Sequence, residues 1–134
     1  MKGPYLLDTA ALLMLMAEAE KVPLALRKDL AAPEVEIFYS QVSTLEIQIK
    51  YQIGKLPMPE APAVVLPREI AKYDFTRLAL SDAAIFGLSQ LPPIHRDPFD
   101  RLLVSQAKLS GLVLVSPDKI FAKYPVEWRW DEMI

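Results

Sequence analysis

Short runs of apolar and β-branched residues recur along the chain, and a longer segment rich in helix-forming residues follows each run. The runs predict strands at 5–7, 35–39, 76–80, 112–115 and 126–130. The intervening segments predict helices at 10–19, 23–31, 43–53, 63–72, 81–88 and 98–110. This alternation predicts a three-layer α/β/α fold, in which helices flank a mostly parallel sheet of four to five strands.

Local signals set the ends of several predicted helices. Ser43 and Glu46 have the spacing of a capping box, and Gly54 follows the last residue of the same helix as a C-cap. Asp97 stands before a proline, which suits an N-cap followed by proline in the first turn, and Gly111 ends that helix. An acid at the start of a helix therefore has a structural explanation of its own.

The composition is that of a folded globular protein and excludes several other classes. The chain has 134 residues, 52% of them hydrophobic and 24% charged, which predicts one folded domain over residues 1–134. It has no cysteine, which excludes disulfides and thiolate zinc sites. Without an apolar run of roughly 18 residues or a secretory signal, we expect a cytoplasmic protein that does not enter membranes. The net charge of -2 argues against indiscriminate coating of nucleic acid, but it permits a basic lip around an acidic site.

Four acids have positions related to the ends of the predicted strands. Three of them follow a strand, and the fourth opens the helix that precedes a strand. Asp8 comes directly after the first strand, Glu46 soon after the second and Asp118 after the fourth, while Asp100 opens the helix before the fourth. Since ligands bind beyond the carboxyl ends of parallel strands, these acids are predicted to meet at one rim. Capping explains Glu46, Asp97 and Asp118 when each is taken alone. A carboxylate that ends an apolar strand, as Asp8 does, is harder to explain in that way.

Other residues that carry chemistry have simpler interpretations. His95 is the only histidine, and its place beside prolines in a loop predicts an ordinary surface residue. Trp128 and Trp130 alternate on the edge strand and are expected to pack. Met14 and Met16 suit either the core or an adaptable surface for a partner. The sequence contains no glycine-rich phosphate loop, GxSxG elbow or HExxH motif.

Four blocks of sequence, in this order, resemble the PIN-domain family. They are residues 6–9 (LLDT), 43–50 (STLEIQIK), 95–103 (HRDPFDRLL) and 114–118 (LVSPD). The third block is the most specific. The blocks look most like the VapC-type toxins of bacterial toxin–antitoxin pairs, and the resemblance extends over nearly the whole chain.

The resemblance implies a PIN-like fold and a metal-dependent ribonuclease. The acidic site that it implies consists of Asp8, Glu46 and Asp100, with Asp118 as a fourth acid that the family uses less uniformly. Asp97 belongs to the same block as Asp100 and is expected to support the site. The resemblance also implies a cognate antitoxin and either a homodimer or a toxin–antitoxin hetero-oligomer. An apolar groove beside helix 10–19 is expected to seat a helix of that partner.

The residues around these acids suit the same chemistry. Thr9 and Ser116 match the small hydroxyl positions of the family. Hard carboxylate oxygens suit Mg²⁺ or Mn²⁺, which can lower the pKa of a water and neutralise charge that develops on a phosphodiester. Lys50, Arg96 and Arg101 are weaker candidates for holding RNA phosphate. Arg101 is an equally good candidate for pairing with an acid.

The chain departs from the family pattern at three positions, and two other functions stay open. Ala10 and Met14 stand where relatives often carry histidine and tryptophan, and Pro117 precedes Asp118. These departures bear on RNA preference and on the fourth acid more than on metal binding. One alternative is a non-catalytic PIN-like module that binds protein, in which the acids are only caps. The other is a Mg²⁺-dependent phosphoacceptor domain, which would need a lysine after a strand, whereas Lys119 follows Asp118.

Overall fold

The computed structural model describes residues 3–132, and its centre is a parallel sheet. Within these residues five strands pair in the order β3-β2-β1-β4-β5, with every neighbouring pair parallel. The strands are β1 (Tyr5–Leu7), β2 (Ile37–Ser40), β3 (Thr76–Leu78), β4 (Val113–Val115) and β5 (Trp128–Arg129). The first strand of the chain therefore lies in the middle of the sheet.

Helices cover both faces of this sheet. Along the described chain they are α1 (Thr9–Ala17), α2 (Leu24–Leu30), α3 (Gln41–Gln52), α4 (Pro62–Tyr73), α5 (Asp82–Phe86) and α6 (Pro98–Ser110). Short 3₁₀ segments occur at Ala19–Lys21, Gly87–Gln90 and Lys119–Lys123. The predicted three-layer α/β/α fold is confirmed, and the bounds of the predicted elements differ from these by no more than two residues.

Side chains of the central strands alternate between two hydrophobic cores. Leu7 packs with Leu12 of α1 on one face of the sheet. Leu6 and Leu114 pack with Leu103 of α6 on the other face. Because helices cover both faces, β1 and β4 are apolar at every position, which is typical of buried parallel strands.

The start of α3 differs from the prediction. Its N-cap is Ser40, the last residue of β2, whose hydroxyl accepts the N–H of Val42 at 2.9 Å. Ser43 and Glu46 therefore lie inside the helix and do not form the predicted capping box. The strand runs into the helix without a loop, so the first available hydroxyl takes the cap.

The start of α6 agrees with the prediction. Asp97 is its N-cap, and its Oδ1 accepts the N–H groups of Phe99 at 2.9 Å and of Asp100 at 3.1 Å. Gly111 ends the helix in the left-handed conformation, with φ at +65°, which glycine adopts without a steric cost. The helix thus holds Asp100 in its first turn.

The carboxyl ends of the central strands lie along one edge of the sheet. Asp8 follows β1, α3 starts directly after β2, and Ser116 follows β4. We call this edge the rim. None of the helices in residues 3–132 has the length and apolar character needed to cross a membrane.

Candidate active site

Asp8 is buried at the rim, with 4% of its surface exposed. Its backbone N–H donates to the carbonyl of Val115 at 2.9 Å, which extends the pairing of β1 with β4 by one residue. Its Oδ1 accepts the N–H of Ala11 at 2.8 Å, so the carboxylate is also the N-cap of α1. The turn from strand to helix thus fixes this carboxylate at the centre of the rim.

Burial raises the pKa of Asp8 from its ordinary value of 3.8 to about 7. The hydroxyl of Ser116 and the N–H of Ala11 act in the opposite direction and lower the pKa. The negative charges of Asp100 and Glu46 raise it further. The protein therefore leaves the charge of Asp8 poorly compensated, and a cation at this place would stabilise the ionised form.

Glu46 projects from α3 to the same rim and is 5% exposed. Its Oε1 lies 2.7 Å from the hydroxyl of Thr9, which also lies 2.9 Å from the hydroxyl of Ser43. Because Thr9 has one hydroxyl hydrogen, it donates to Glu46 and accepts from Ser43. The other oxygen, Oε2, lies 2.5 Å from Nζ of Lys50. Both oxygens of Glu46 thus have a partner within the protein.

The Lys50 ammonium compensates part of the charge at the rim. Its hydrogen bond with Glu46 raises the pKa of Lys50, and the charges of Asp97 and Asp100 act in the same direction. Lys50 follows Glu46 by four residues, a spacing that brings side chains together on a helix. This spacing was the signal in the sequence that could have predicted the pair.

Asp100 is half-buried in the first turn of α6. Burial raises the pKa of its carboxyl, and the charges of Asp97 and Glu46 add to the rise, while a hydrogen bond from His95 lowers it. That bond joins Nε2 of His95 to Oδ2 of Asp100 over 3.1 Å. Asp8, Glu46 and Asp100, which come from three distant parts of the sequence, therefore affect one another through their charges.

The prediction that His95 is an ordinary surface residue is wrong. Its side chain is 22% exposed, and besides Asp100 it contacts the hydroxyl of Tyr124, which lies 2.6 Å from Nδ1. The ring also meets Phe121 edge to face, with centroids 6.5 Å apart. Since Tyr124 is 29 residues further along the chain, no local spacing in the sequence predicts this contact.

Asp118 lies three residues beyond the end of β4. It is exposed, and its Oδ1 accepts the N–H of Ile120 at 3.0 Å as the N-cap of the 3₁₀ segment. Its own N–H donates to the hydroxyl of Ser116 at 3.0 Å. Its position is thus that of a cap at the border of the rim, next to the hydroxyl that contacts Asp8.

The two arginines that were predicted to hold phosphate differ in their surroundings. Arg96 is exposed in the loop before α6. Arg101 is half-buried, and its guanidinium donates to the carbonyl of Pro92 at 2.9 Å and to the hydroxyl of Tyr124 at 3.2 Å. Arg101 therefore stabilises the loop through its hydrogen bonds, whereas the Arg96 side chain is accessible to solvent.

The carboxylate oxygens of these acids are of the type that binds divalent ions, although the side chains of Glu46 and Asp100 contact other residues of the protein. In residues 3–132 no three acidic or histidine side chains are grouped closely enough to hold a metal ion as they stand. Glu46 contacts Lys50, and Asp100 contacts His95. The carboxylates are nonetheless hard ligands in a region of uncompensated charge, and Mg²⁺ commonly needs few of them because it keeps several waters. The residues therefore fit Mg²⁺ or Mn²⁺, which would take over the compensation that Lys50 and His95 supply.

The sequence matches one family model. This is the model of the PIN domain, and the match covers residues 5–127. No curated protein sequence matches the chain.

The fold is similar to that of several solved structures. VapBC2 from Rickettsia felis, bound to a DNA fragment from their promoter, matches with a TM-score of 0.73 and 20% identity over 95% of this chain and 98% of that chain. DNA-bound VapBC from Salmonella typhimurium matches with a TM-score of 0.68 and 18% identity over 93% and 96% of the two chains. VapBC-1 from nontypeable Haemophilus influenzae matches with a TM-score of 0.63 and 16% identity over the same shares. At such identities the likeness is one of fold.

Proposed function

Because the chain belongs to the PIN-domain family, we propose that it is a Mg²⁺- or Mn²⁺-dependent endoribonuclease and the toxin of a toxin–antitoxin pair. The observation that carries the proposal is the convergence of Asp8, Glu46 and Asp100 at the rim. Burial and mutual repulsion raise the pKa of Asp8 and of Asp100. A fold that holds uncompensated carboxylates in this way is suited to bind a cation together with a phosphate.

In this proposal Asp8, Glu46 and Asp100 hold the ion directly or through water. Once bound, Mg²⁺ or Mn²⁺ supplies a water of lowered pKa and neutralises the charge that develops at the phosphodiester. The chain supplies the orientation. The Ala11 N–H fixes Asp8, the Thr9 hydroxyl fixes one oxygen of Glu46, and the first turn of α6 fixes Asp100.

Basic groups beside the acids are proposed to hold the RNA backbone. Lys50 has a side chain that is 45% exposed and an ammonium in the field of the acids. Arg96 is exposed close to Asp97 and Asp100. Both can attract a phosphate to the rim, in a protein whose net charge of -2 would otherwise repel RNA. Asp118 borders the site through Ser116 and is proposed to help position water in a minor role.

An apolar groove next to the rim is proposed to bind a helix of the cognate antitoxin. Its volume is about 560 Å³, and α1, α4 and the connector between α3 and α4 form its walls. Its apolar lining includes Ala10, Leu13, Met14, Met16, Leu56, Met58 and Val65. Glu18, Arg68 and Glu69 lie at the same groove and can pair with charges beside an apolar stripe. Because Ala10 follows Asp8 by two residues, an occupant that extends beyond Ala10 is proposed to reach the rim and restrain cleavage.

The neighbours in fold support this partner, since their names are those of VapBC complexes. We propose that the chain acts in the cytoplasm, as a single PIN-like domain over residues 1–134. It is proposed to work as a homodimer or within a toxin–antitoxin hetero-oligomer.

Two alternatives have less support. A flavodoxin-like phosphoacceptor has the strand order 2-1-3-4-5, whereas the order here is β3-β2-β1-β4-β5. A module that only binds protein would use the acids as caps, which accounts for the positions of Asp8, Asp97 and Asp118. Capping does not account for Glu46, which lies inside α3 with its carboxylate buried.

Incubation of the purified chain with RNA tests the proposal. Cleavage is expected with Mn²⁺ or Mg²⁺ and is expected to stop with EDTA.

Coexpression with the protein of a neighbouring gene tests the proposed partner and is expected to give a complex that does not cleave RNA. Ala17→Arg adds bulk and charge at an exposed position of the groove, so it should weaken the complex and leave cleavage intact. A folded chain that binds Mn²⁺ and leaves every RNA substrate whole would contradict the nuclease role.

A further inference from the structure

A line of hydrogen bonds runs from Arg101 through Tyr124 and His95 to Asp100, and we propose that it fixes the orientation of the Asp100 carboxylate. His95 is then a positioning residue, because it would act on the ion only through Asp100. This inference rests on the proposed function, in which Asp100 is a metal ligand.

The line is partly buried along its length. Arg101 Nη1 donates to the hydroxyl of Tyr124 at 3.2 Å, and that hydroxyl lies 2.6 Å from Nδ1 of His95. Nε2 of His95 lies 3.1 Å from Oδ2 of Asp100. Tyr124 is 4% exposed, and its ring meets the imidazole with centroids 5.5 Å apart. Packing therefore holds both rings in place.

The donors and acceptors along the line can be assigned. A guanidinium only donates, so Arg101 occupies a lone pair of the Tyr124 hydroxyl. An ionised carboxylate also only accepts, so Nε2 of His95 carries the proton and donates to Oδ2 of Asp100. In the neutral imidazole Nδ1 then carries no proton, and it accepts the hydroxyl hydrogen of Tyr124.

With this assignment, Oδ2 of Asp100 accepts the hydrogen bond from His95, so Oδ1 is the oxygen that remains for an ion at the rim. Arg101 also donates to the carbonyls of Pro92 at 2.9 Å and of His95 at 3.5 Å, which ties the loop before α6 to the same line. Groups that orient a ligand in this way commonly change metal affinity by roughly 10- to 100-fold when they are removed.

A purely structural role for His95 gives a different expectation. The imidazole also packs against Phe121, and in that case any side chain of similar volume would serve. Only the positioning role requires a hydrogen-bond donor at the place of Nε2 and a hydroxyl at the place of Tyr124. The two roles therefore separate when volume and donor are changed independently.

The test uses four variants of the full chain and two measurements. His95→Leu removes the donor, and His95→Gln restores an N–H that can reach Asp100. Tyr124→Phe keeps the ring but removes the hydroxyl. Tyr73→Phe is the matched control, because its hydroxyl donates to the carbonyl of Leu15 at 3.0 Å, away from the rim. Calorimetry gives the Mn²⁺ dissociation constant of each protein, and ¹⁵N chemical shifts of the metal-free protein give the protonated nitrogen of His95.

We expect His95→Leu and Tyr124→Phe to weaken Mn²⁺ binding by about tenfold or more. His95→Gln should stay within about threefold of wild type, and Tyr73→Phe should not differ from it. The ¹⁵N shifts should show the proton on Nε2 in wild type. Binding by folded His95→Leu that equals wild type, or binding by His95→Gln that is as weak as that of His95→Leu, would overturn the inference.

The two readouts also separate this inference from the proposed function. If wild type does not bind Mn²⁺, the proposed function fails and the ¹⁵N shifts alone decide the geometry. If wild type binds Mn²⁺ and cleaves RNA while its His95 proton is on Nδ1, the function stands and the positioning role is refuted. The same shifts decide the matter if a variant does not fold, because they are measured on wild type.

Discussion

Two clusters of charged side chains in residues 3–132 differ in how well their charges balance. At the rim, Asp8, Glu46 and Asp100 share the partial compensation of Lys50 and His95, and the pKa values of Asp8 and Asp100 are raised. The second place is the Arg129 cluster, which consists of Arg129, Asp29, Asp131 and the hydroxyl of Tyr5. There the acids and the cation lower one another's electrostatic energy.

The geometry of the Arg129 cluster explains its balance. Arg129 donates to both oxygens of Asp131 at 2.9 Å and to Oδ2 of Asp29 at 2.7 Å. Its hydrogen bond lowers the pKa of Asp131, and the pKa of Arg129 is raised in turn. Because Arg129 lies on β5 and Asp29 on α2, this cluster joins the edge of the sheet to a helix and serves the fold.

The two clusters differ in what their charges contribute to the stability of the fold. Repulsion among buried acids costs stability in the metal-free protein, and a fold that needed only caps would have no reason to retain it. The rim therefore has the electrostatics of a binding site, and the Arg129 cluster has those of a structural contact. Substitutions at the rim should therefore affect mainly RNA cleavage, and substitutions in the Arg129 cluster should affect mainly stability.

The largest expected effect is on RNA cleavage at the rim. Asp8→Asn, Glu46→Gln and Asp100→Asn should each reduce metal-dependent cleavage on the order of 100-fold or more, because each removes a charge that holds the ion. The fold should survive, since asparagine still caps α1 at position 8. Cleavage assays with Mn²⁺ measure this, and Asp29→Asn in the Arg129 cluster is the control that should retain activity. Full activity in any rim variant would remove that residue from the site.

The next effect is on stability at the Arg129 cluster. Arg129→Met leaves Asp29 and Asp131 without their cation, so the free energy of unfolding should fall by about 2 kcal/mol, between the values for surface and buried pairs. Thermal melts should show a loss of several degrees. Cleavage per folded molecule should equal that of wild type. A variant that melts like wild type would show that the cluster does not stabilise the fold.

The two places should also respond to pH with opposite signs. The folded-state pKa of Asp8 is raised from 3.8 to about 7, so the folded protein binds its proton more tightly and loses stability as pH rises through that range. The pKa of Asp131 is lowered, so its contribution is present above pH 3.8 and is lost as pH falls below that value.

Melting temperatures between pH 3 and 8 in EDTA measure both signs. Asp8→Asn should remove much of the decline between pH 4 and 7 and should melt above wild type at neutral pH. Mn²⁺ should raise the melting temperature of wild type by mass action and should raise that of Asp8→Asn much less. Parallel pH profiles for the two proteins would mean that Asp8 titrates normally.

The smallest effect is expected at the border of the rim. Asp118→Asn keeps a side chain that can cap the 3₁₀ segment, so stability should hardly change. Because Asp118 is exposed and its N–H donates to the Ser116 hydroxyl beside Asp8, cleavage should fall by about tenfold, the low end of the range for an indirect partner. A loss as large as that of Asp8→Asn would move Asp118 into the group that holds the ion.

The sequence predicted the features that depend on neighbours along the chain. The apolar run before Asp8 predicted β1 and its acid, and Asp97 with its proline predicted the start of α6. The capping box at Ser43 was wrong, because Ser40 offered a hydroxyl closer to the true start of α3. The acids could be assigned to one rim because strand ends in a parallel sheet share an edge.

Contacts between distant segments could not be predicted in this way. His95 reaches Tyr124 across 29 residues, and Arg129 reaches Asp29 across 100. Both contacts depend on how loops and the last strand pack onto the finished sheet, which no periodicity encodes. The same limit applies to Asp118, since spacing gives its strand end but not the direction of the turn that follows.

A crystal of the chain soaked in Mn²⁺ tests the central claim most directly, because anomalous scattering locates the ion itself. The expected result is an ion at the rim that is bound by Asp8 and Asp100, with Glu46 bound directly or through a water. An ordered crystal whose rim holds no manganese after the soak, or one whose manganese contacts only Asp118, would contradict the claim that these three acids form a metal site.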